Sequence, residues 1–174
     1  MDDASADGGV KVGLYAALVA AVVLGGLGAL AVVFRQPYVF PSVGPTVMVL
    51  AERPTSASAH PRNVLVGHLV GVGAGLLALV IFGLLHAPAV VSGGIGLSRV
   101  GAAVVSLCLT TLVLQVVHAP HAPAGATTLI VSLGLLKSPR DLVAIVTAIA
   151  FTALVATVLN LATGRRRTLE AGDA

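Results

Sequence analysis

The residues of this chain that could do chemistry gather where its apolar sequence is broken. His118-Ala-Pro-His-Ala-Pro-Ala-Gly-Ala-Thr-Thr128 opens one apolar run, and Pro41-Ser-Val-Gly-Pro-Thr46 opens another. A helix starting at Gly44-Pro45-Thr46 or at Gly125-Ala126-Thr127 would aim unpaired backbone N–H groups out of its N-terminus. The helix dipole adds about half a positive charge there, which is chemistry for an anion. Thr46, Thr127 and Thr128 add hydroxyls, whose plainer role is to cap their own helices. Gly44 and Gly125 open backbone conformations closed to other residues and allow close approach to a ligand; the plainer role is a turn.

His68 lies inside a long apolar segment, and an ionisable group at that depth reads as functional. The alternative is a core imidazole bonded to a backbone carbonyl. His118 and His121 flank the second break. Arg62, with Arg140 in an equivalent place, could draw anions to a vestibule or simply snorkel to the interface. The five His show no helical ligand spacing and no Cys or carboxylate beside them, so no metal is expected. No cofactor motif, phosphate-binding loop, nucleic-acid module or nucleophile–base pair is present. A Ser/His enzyme would have to use Ser42 or Ser132 with no orienting acid, so the chain is not expected to be an enzyme or to bind nucleic acid.

The elements that must position these residues are written in the composition. Of 174 residues, 57% are hydrophobic and 10% charged, where soluble domains carry about 25% charge. Four uncharged or nearly uncharged spans are expected at about 14–34, 64–85, 97–117 and 142–161, each long enough for a bilayer core. Residues 1–11 form an acidic polar tail, 12–164 the membrane domain and 165–174 a second polar tail. An acidic start before the first span argues for a retained helix rather than a cleaved signal. Cys108, within the third span, is expected to be a small core residue.

Between the spans, about 40–51 and 121–136 are too short to span as helices and too apolar for aqueous loops. They read as broken, re-entrant half-helices, the places where transporters hold ligands. The two halves match: Gly44-Pro45-Thr46 then Pro61-Arg62-Asn63 in one, Gly125-Ala126-Thr127 then Pro139-Arg140-Asp141 in the other. The fold expected is an all-α membrane protein of four transmembrane helices in two pseudo-repeats, each with a re-entrant half-helix. Six crossings with inverted halves is the alternative. Basic residues divide evenly between the two sides under four crossings, and the Arg165–Arg167 triplet points to a cytoplasmic C-terminus.

Small residues recur every fourth position in each span: Ala17, Ala21, Gly25 and Ala29; Asn63, Gly67, Gly71 and Gly75; Ser98, Ala102, Ser106 and Thr110; Ala144, Ala148, Thr152, Ala156 and Asn160. Such faces let helix backbones approach closely in lipid. They predict a tight bundle, and a homo-oligomer if one ladder faces outward.

His121-Ala-Pro-Ala-Gly-Ala-Thr127 resembles the His-Pro-Pro-Ala-Gly-Ala signature of the HPP family of integral membrane proteins. Pro61-Arg-Asn-Val-Leu-Val-Gly-His-Leu69 resembles that family's Pro-Arg-Asn-Val-x-x-Gly-His block, and Phe40-Pro-Ser42 also fits. The resemblance covers roughly residues 14 to 162, with Ala122 standing where the family has Pro. It implies a four-helix membrane protein and marks His121, Pro123, Gly125, Arg62, Asn63, Gly67 and His68. Some plastid and cyanobacterial members are associated with nitrite transport. The function expected is a channel or transporter for a small inorganic anion, such as nitrite or nitrate, in the inner (cytoplasmic) membrane. A non-transporting assembly subunit packing against partner helices is the alternative.

Overall fold

The computed structural model describes residues 3–165, with side chains from Gly8 onward. Among the described residues there are seven α-helices and no strand: α1 Asp3–Phe34, α2 Val43–Glu52, α3 Pro61–Ile81, α4 Val90–Gly93, α5 Leu97–Val116, α6 Ala124–Ser132 and α7 Pro139–Ala162. Four of them are long and apolar enough to cross a membrane: Gly8–Phe34, Pro61–Ile81, Leu97–Val116 and Pro139–Ala162. The first helix begins at Asp3, well before the expected start at Leu14. Arg166 and Arg167 lie outside the described residues.

Local sequence sets the helix ends. α1 stops at Arg35, in the left-handed region at φ 52, before Pro37. Pro45 falls in the first turn of α2, where a missing N–H costs little. The His60 ring accepts the Arg62 N–H and Pro61 takes the first position of α3. Ser138 and Asp141 form a capping box around Pro139 at the start of α7. Gly134, at φ 78, turns the chain out of α6.

Each short helix packs on the long helix before it and on a long helix from the other half of the chain. α2 lies against α1 and α7, and α6 lies against α5 and α3. α3 and α7 meet between them. The chain does not return each broken segment to the end it left. At one end of the bundle, Tyr15 donates to Asn160 Oδ1 at 2.8 Å and Asn160 Nδ2 donates to the Leu50 carbonyl at 2.9 Å. That joins the early part of α1 to the ends of α2 and α7. At the other end, Arg99 at the start of α5 donates to the carbonyl of Ser132, which closes α6. Lys137 donates there to the Leu85 and Ala87 carbonyls beyond α3. Segment 35–52 therefore leaves the end of α1 and finishes beside its beginning, and segment 117–132 does the same along α5. The expectation that each segment enters and leaves by one face counted only helical length. The ten-residue α2 covers about 15 Å, and the link before it makes up the rest of the run along α1.

The small-residue ladders divide by place in the bundle. Asn63, Gly67, Gly71 and Gly75 are all buried, as are all five ladder residues of α7 and, except for Ser98, those of α5. Ala17, Ala21, Gly25 and Ala29 face outward instead. α1 sits at the edge and fills its contact with α2 and α7 by larger side chains, Val19, Val23 and Leu27. Cys108 is also exposed, so its expected place in the core is corrected. Leu14, Leu112, Val143 and Leu154 are each more than 60% exposed. Apolar faces this open suit a hydrocarbon solvent rather than water.

Arg99 is 4% exposed and spends its guanidinium on main-chain carbonyls, those of Ser132 at 3.2 Å and Pro88 at 2.7 Å. A cation there complements the C-terminal dipole of α6. Arg99→Met is expected to lower stability by about 3 kcal/mol, from two charge-assisted hydrogen bonds lost. Arg99→Lys should recover less than half of the loss, because one ammonium cannot reproduce the two-pronged geometry. Thermal unfolding of the three proteins in detergent measures both.

Candidate functional site

His68 stands two turns into α3 with its ring between the first turns of the two short helices. Its Nε2 is 3.1 Å from Thr46 Oγ1 and its Nδ1 is 2.7 Å from Thr127 Oγ1. Thr46 and Thr127 are each the fourth residue of their helix, α2 and α6. Ser42, just before α2, closes the ring: its hydroxyl is 2.7 Å from Thr127 Oγ1 and its carbonyl accepts from Thr46 Oγ1 at 2.7 Å. His121 stacks edge-on to His68 with ring centroids 4.9 Å apart, and the two Nε2 atoms are 3.1 Å apart. The other nitrogen of His121 donates to the Ser58 carbonyl at 2.8 Å. All five side chains are at most 2% exposed. The cluster is a buried set of hydroxyls and imidazoles; Glu52 is exposed at the end of α2, and Asp141 belongs to the cap of α7.

α3 admits α6 this closely because its facing residues are glycines. A Cβ on Gly67 would meet His121 Cβ at 2.8 Å, one on Gly71 the Ala124 carbonyl at 2.8 Å and Thr128 Oγ1 at 2.9 Å, and one on Gly75 Val131 Cβ at 2.7 Å. Residues rising in step along both helices also show that α3 and α6 run parallel.

The expected site residues separate into three sets. His68, His121, Thr46 and Thr127 come together. Thr128 is buried beside them but pairs with Thr110 of α5 at 2.8 Å and with the Ala124 carbonyl. Arg62, Asn63 and Gly44 lie elsewhere, and Gly125 lines a cleft beside His121. Arg62 is exposed and donates to Asn63 Oδ1, while Asn63 Nδ2 donates to the Ala57 carbonyl at 2.8 Å and ties down the loop before α3. Gly44 and Gly125 are ordinary helical residues without positive φ. Open space surrounds a Cβ at Gly44, and one at Gly125 would meet only Leu107 Cδ1 at 3.3 Å. The special backbone conformations expected of these two glycines are therefore absent.

The bare amides expected at the second break are also taken. The N–H groups of Ala124, Gly125 and Ala126 donate to the carbonyls of His121, Ala122 and Pro123. A tight turn of Pro-rich chain satisfies its own helix start. The donors left for a guest are side chains, not amides. Ser42, Thr110 and the Ser58 carbonyl were not legible as members of the site. Ser42 alone carried a signal, since it precedes the first half-helix as Pro123 precedes the second.

Two clefts end on the histidine pair. One, of about 330 Å³, lies between α5 and the turn into α6, lined by Thr110, Thr111, Gln115, Pro120, His121 and Gly125 among others. The other, about 250 Å³ and apolar, lies between α3 and α7 with His68 at its wall beside Leu65, Val146 and Ile149.

A bundle of four membrane-length helices, with two short helices closing on a buried imidazole–hydroxyl cluster, defines a polytopic helical membrane protein. The transmembrane region of the HPP family matches residues 6–169, and the chain belongs to that family. No match is found among curated proteins or among solved structures.

Proposed function

We propose that the protein is a channel or transporter for a small inorganic anion, such as nitrite or nitrate, in the inner (cytoplasmic) membrane. The observation that carries this reading is the buried cluster of Ser42, Thr46, His68, His121 and Thr127, whose hydroxyls and imidazoles bond one another and include no carboxylate. Its hydroxyls can turn from one another to a guest that accepts hydrogen bonds. The N-terminal dipoles of α2 and α6 converge on it and favour negative charge.

The packing supports two repeats, α1–α3 and α5–α7, related by inversion. Exchanging the halves turns the contacts of α2 with α1 and α7 into those of α6 with α5 and α3. It also turns Thr46 into Thr127. On this reading the broken segments are full crossings, six in all, and the site lies at the repeat interface as in other transporters with inverted halves.

Nitrite and nitrate uptake into proteoliposomes tests the function. Uptake above that of empty vesicles is expected, with Thr127→Val reducing it about tenfold through loss of one buried hydroxyl contact. Equal uptake by the variant, with its thermal unfolding unchanged, would overturn the assignment of the site. No uptake by the wild type would favour an assembly subunit. The outward ladder Ala17, Ala21, Gly25 and Ala29 favours a packing role of that kind, and cross-linking at Gly25→Cys would report it.

A further inference from the structure

We infer that the His68–His121 pair binds one transferable proton and couples its movement to that of the anion. The inference rests on the transport reading above and deepens it. The hydrogen bonds fix the proton positions. The Ser58 carbonyl can only accept, so His121 Nδ1 carries hydrogen, and the Nε2 of the neutral ring is an acceptor. Thr46 has given its hydroxyl hydrogen to the Ser42 carbonyl, so it too presents an acceptor to His68. His68 Nε2 therefore carries the hydrogen that bridges to His121 Nε2 at 3.1 Å. In the neutral pair His68 Nδ1 is left as an acceptor, and the Thr127 hydroxyl, which otherwise donates to Ser42 Oγ, must turn to it across 2.7 Å.

One more proton fits without moving a heavy atom. It adds to His68 Nδ1, which then donates to Thr127 Oγ1, and the Thr127 hydroxyl turns to Ser42 Oγ at 2.7 Å. The bridging hydrogen can then shift from His68 Nε2 to His121 Nε2. The positive charge moves with it, from the ring held by α2 and α6 to the ring at the wall of the α5–α6 cleft. The shift reverses and the added proton leaves from His68 Nδ1, so one proton is gained and one lost at the same atom, and the neutral pair with hydrogen on His68 Nε2 and His121 Nδ1 is restored.

Nothing else that faces the pair can take this part. α2 offers Ser42 and Thr46, α6 offers Thr127, and the loop before α3 offers the Ser58 carbonyl. α7 faces His68 with Val146, Ile149 and Ala150, and α5 faces the His121 cleft with Leu107, Thr110, Thr111, Leu114 and Gln115. Each ring is the other's one titratable neighbour in this set. A single added charge in a buried site needs a compensating one. A monovalent anion supplies it, so the proton and the guest cross together as a neutral unit.

Proteoliposomes loaded with a pH-sensitive dye test this with nitrate, whose conjugate acid does not leak through lipid, and with nitrite. Nitrate uptake is expected to acidify the lumen by one proton per anion and to be unchanged by a potassium-diffusion potential. His121→Gln should reduce the acidification about tenfold or more. Nitrate uptake with no acidification, driven by the potential, would overturn coupling and leave anion transport standing. Absence of any uptake would overturn both. A second measurement does not depend on turnover or on a variant folding: nitrogen-15 spectra of histidine-labelled protein. His121 protonated at Nδ1 and one bridging hydrogen between the two Nε2 atoms are expected. His121 as the Nε2–H tautomer would sink the inference.

Discussion

Gly71→Val is expected to be among the most damaging single substitutions in the membrane domain. The obstacle to a side chain there is the Ala124 carbonyl, 2.8 Å from the position of a Cβ, with Thr128 Oγ1 at 2.9 Å. A carbonyl inside a helix cannot rotate away, so α6 as a whole must move from α3. Overpacking of this kind costs about 3 kcal/mol, the upper part of the usual range. The damage should reach function as well as stability, because α6 carries Thr127 and the turn before it carries His121. A shift of α6 by part of an ångström lengthens the 2.7 Å contact of Thr127 with His68. Gly73→Val is the control. It lies on the same helix with open space around a Cβ, and its stability should stay within about 0.5 kcal/mol of wild type. Unfolding curves for the two variants decide the matter: equal loss in both would mean that the α3–α6 contact is not what limits stability.

Leucine in place of His68 is expected to abolish uptake and to cost about 1–3 kcal/mol of stability, for one polar group left buried without a partner. Its three hydrogen-bonding neighbours are affected unequally. Thr46 keeps the Ser42 carbonyl and Thr127 keeps the Ser42 hydroxyl. His121 loses the partner of its Nε2, while its Nδ1 remains bonded to Ser58. The loss therefore falls on His121, and this makes a coupling measurable. His68→Leu combined with His121→Leu should destabilise by less than the sum of the two single changes, since the second removes the atom stranded by the first. Additive losses in the double variant would show that the two rings do not share a hydrogen bond.

Much of this architecture is legible in the chain. Blocks of apolar residues without charge mark the four long helices, because a bilayer of fixed thickness demands a fixed length of unbroken hydrocarbon-soluble helix. Pro41, Pro45, Pro120 and Pro123 mark the two breaks, because proline lacks the amide a continuing helix needs. His68 stands out because an imidazole is costly at that depth, and the paired Gly-x-Thr steps point to Thr46 and Thr127. The glycines at 67, 71 and 75 announce a close contact by their spacing alone.

Periodicity along one helix does not say which neighbour the contact serves. The ladder of α1 has the same spacing as that of α3, yet it faces outward while Val19, Val23 and Leu27 face in. The same limit applies to Gly44 and Gly125, which look like loop glycines and are helical, and to Arg62, which looks like an anion lure and braces a loop through Asn63.

What the sequence determined by itself was the solvent of this protein, its long helices, the places where they break, and the residue types gathered at those breaks. These follow from local chemistry: side-chain transfer into lipid, proline sterics and helix capping. Only the tertiary structure decided that the broken segments run the length of the bundle, that Ser42 and His121 join His68, and that the half-helix amides of α6 are already satisfied. The satisfied amides follow from a local turn, but the joining of the cluster depends on contacts between residues 53 to 85 positions apart, such as His121 with His68 and Thr127 with Ser42. Distances of that kind in sequence are closed by packing of whole helices, and no local preference records them.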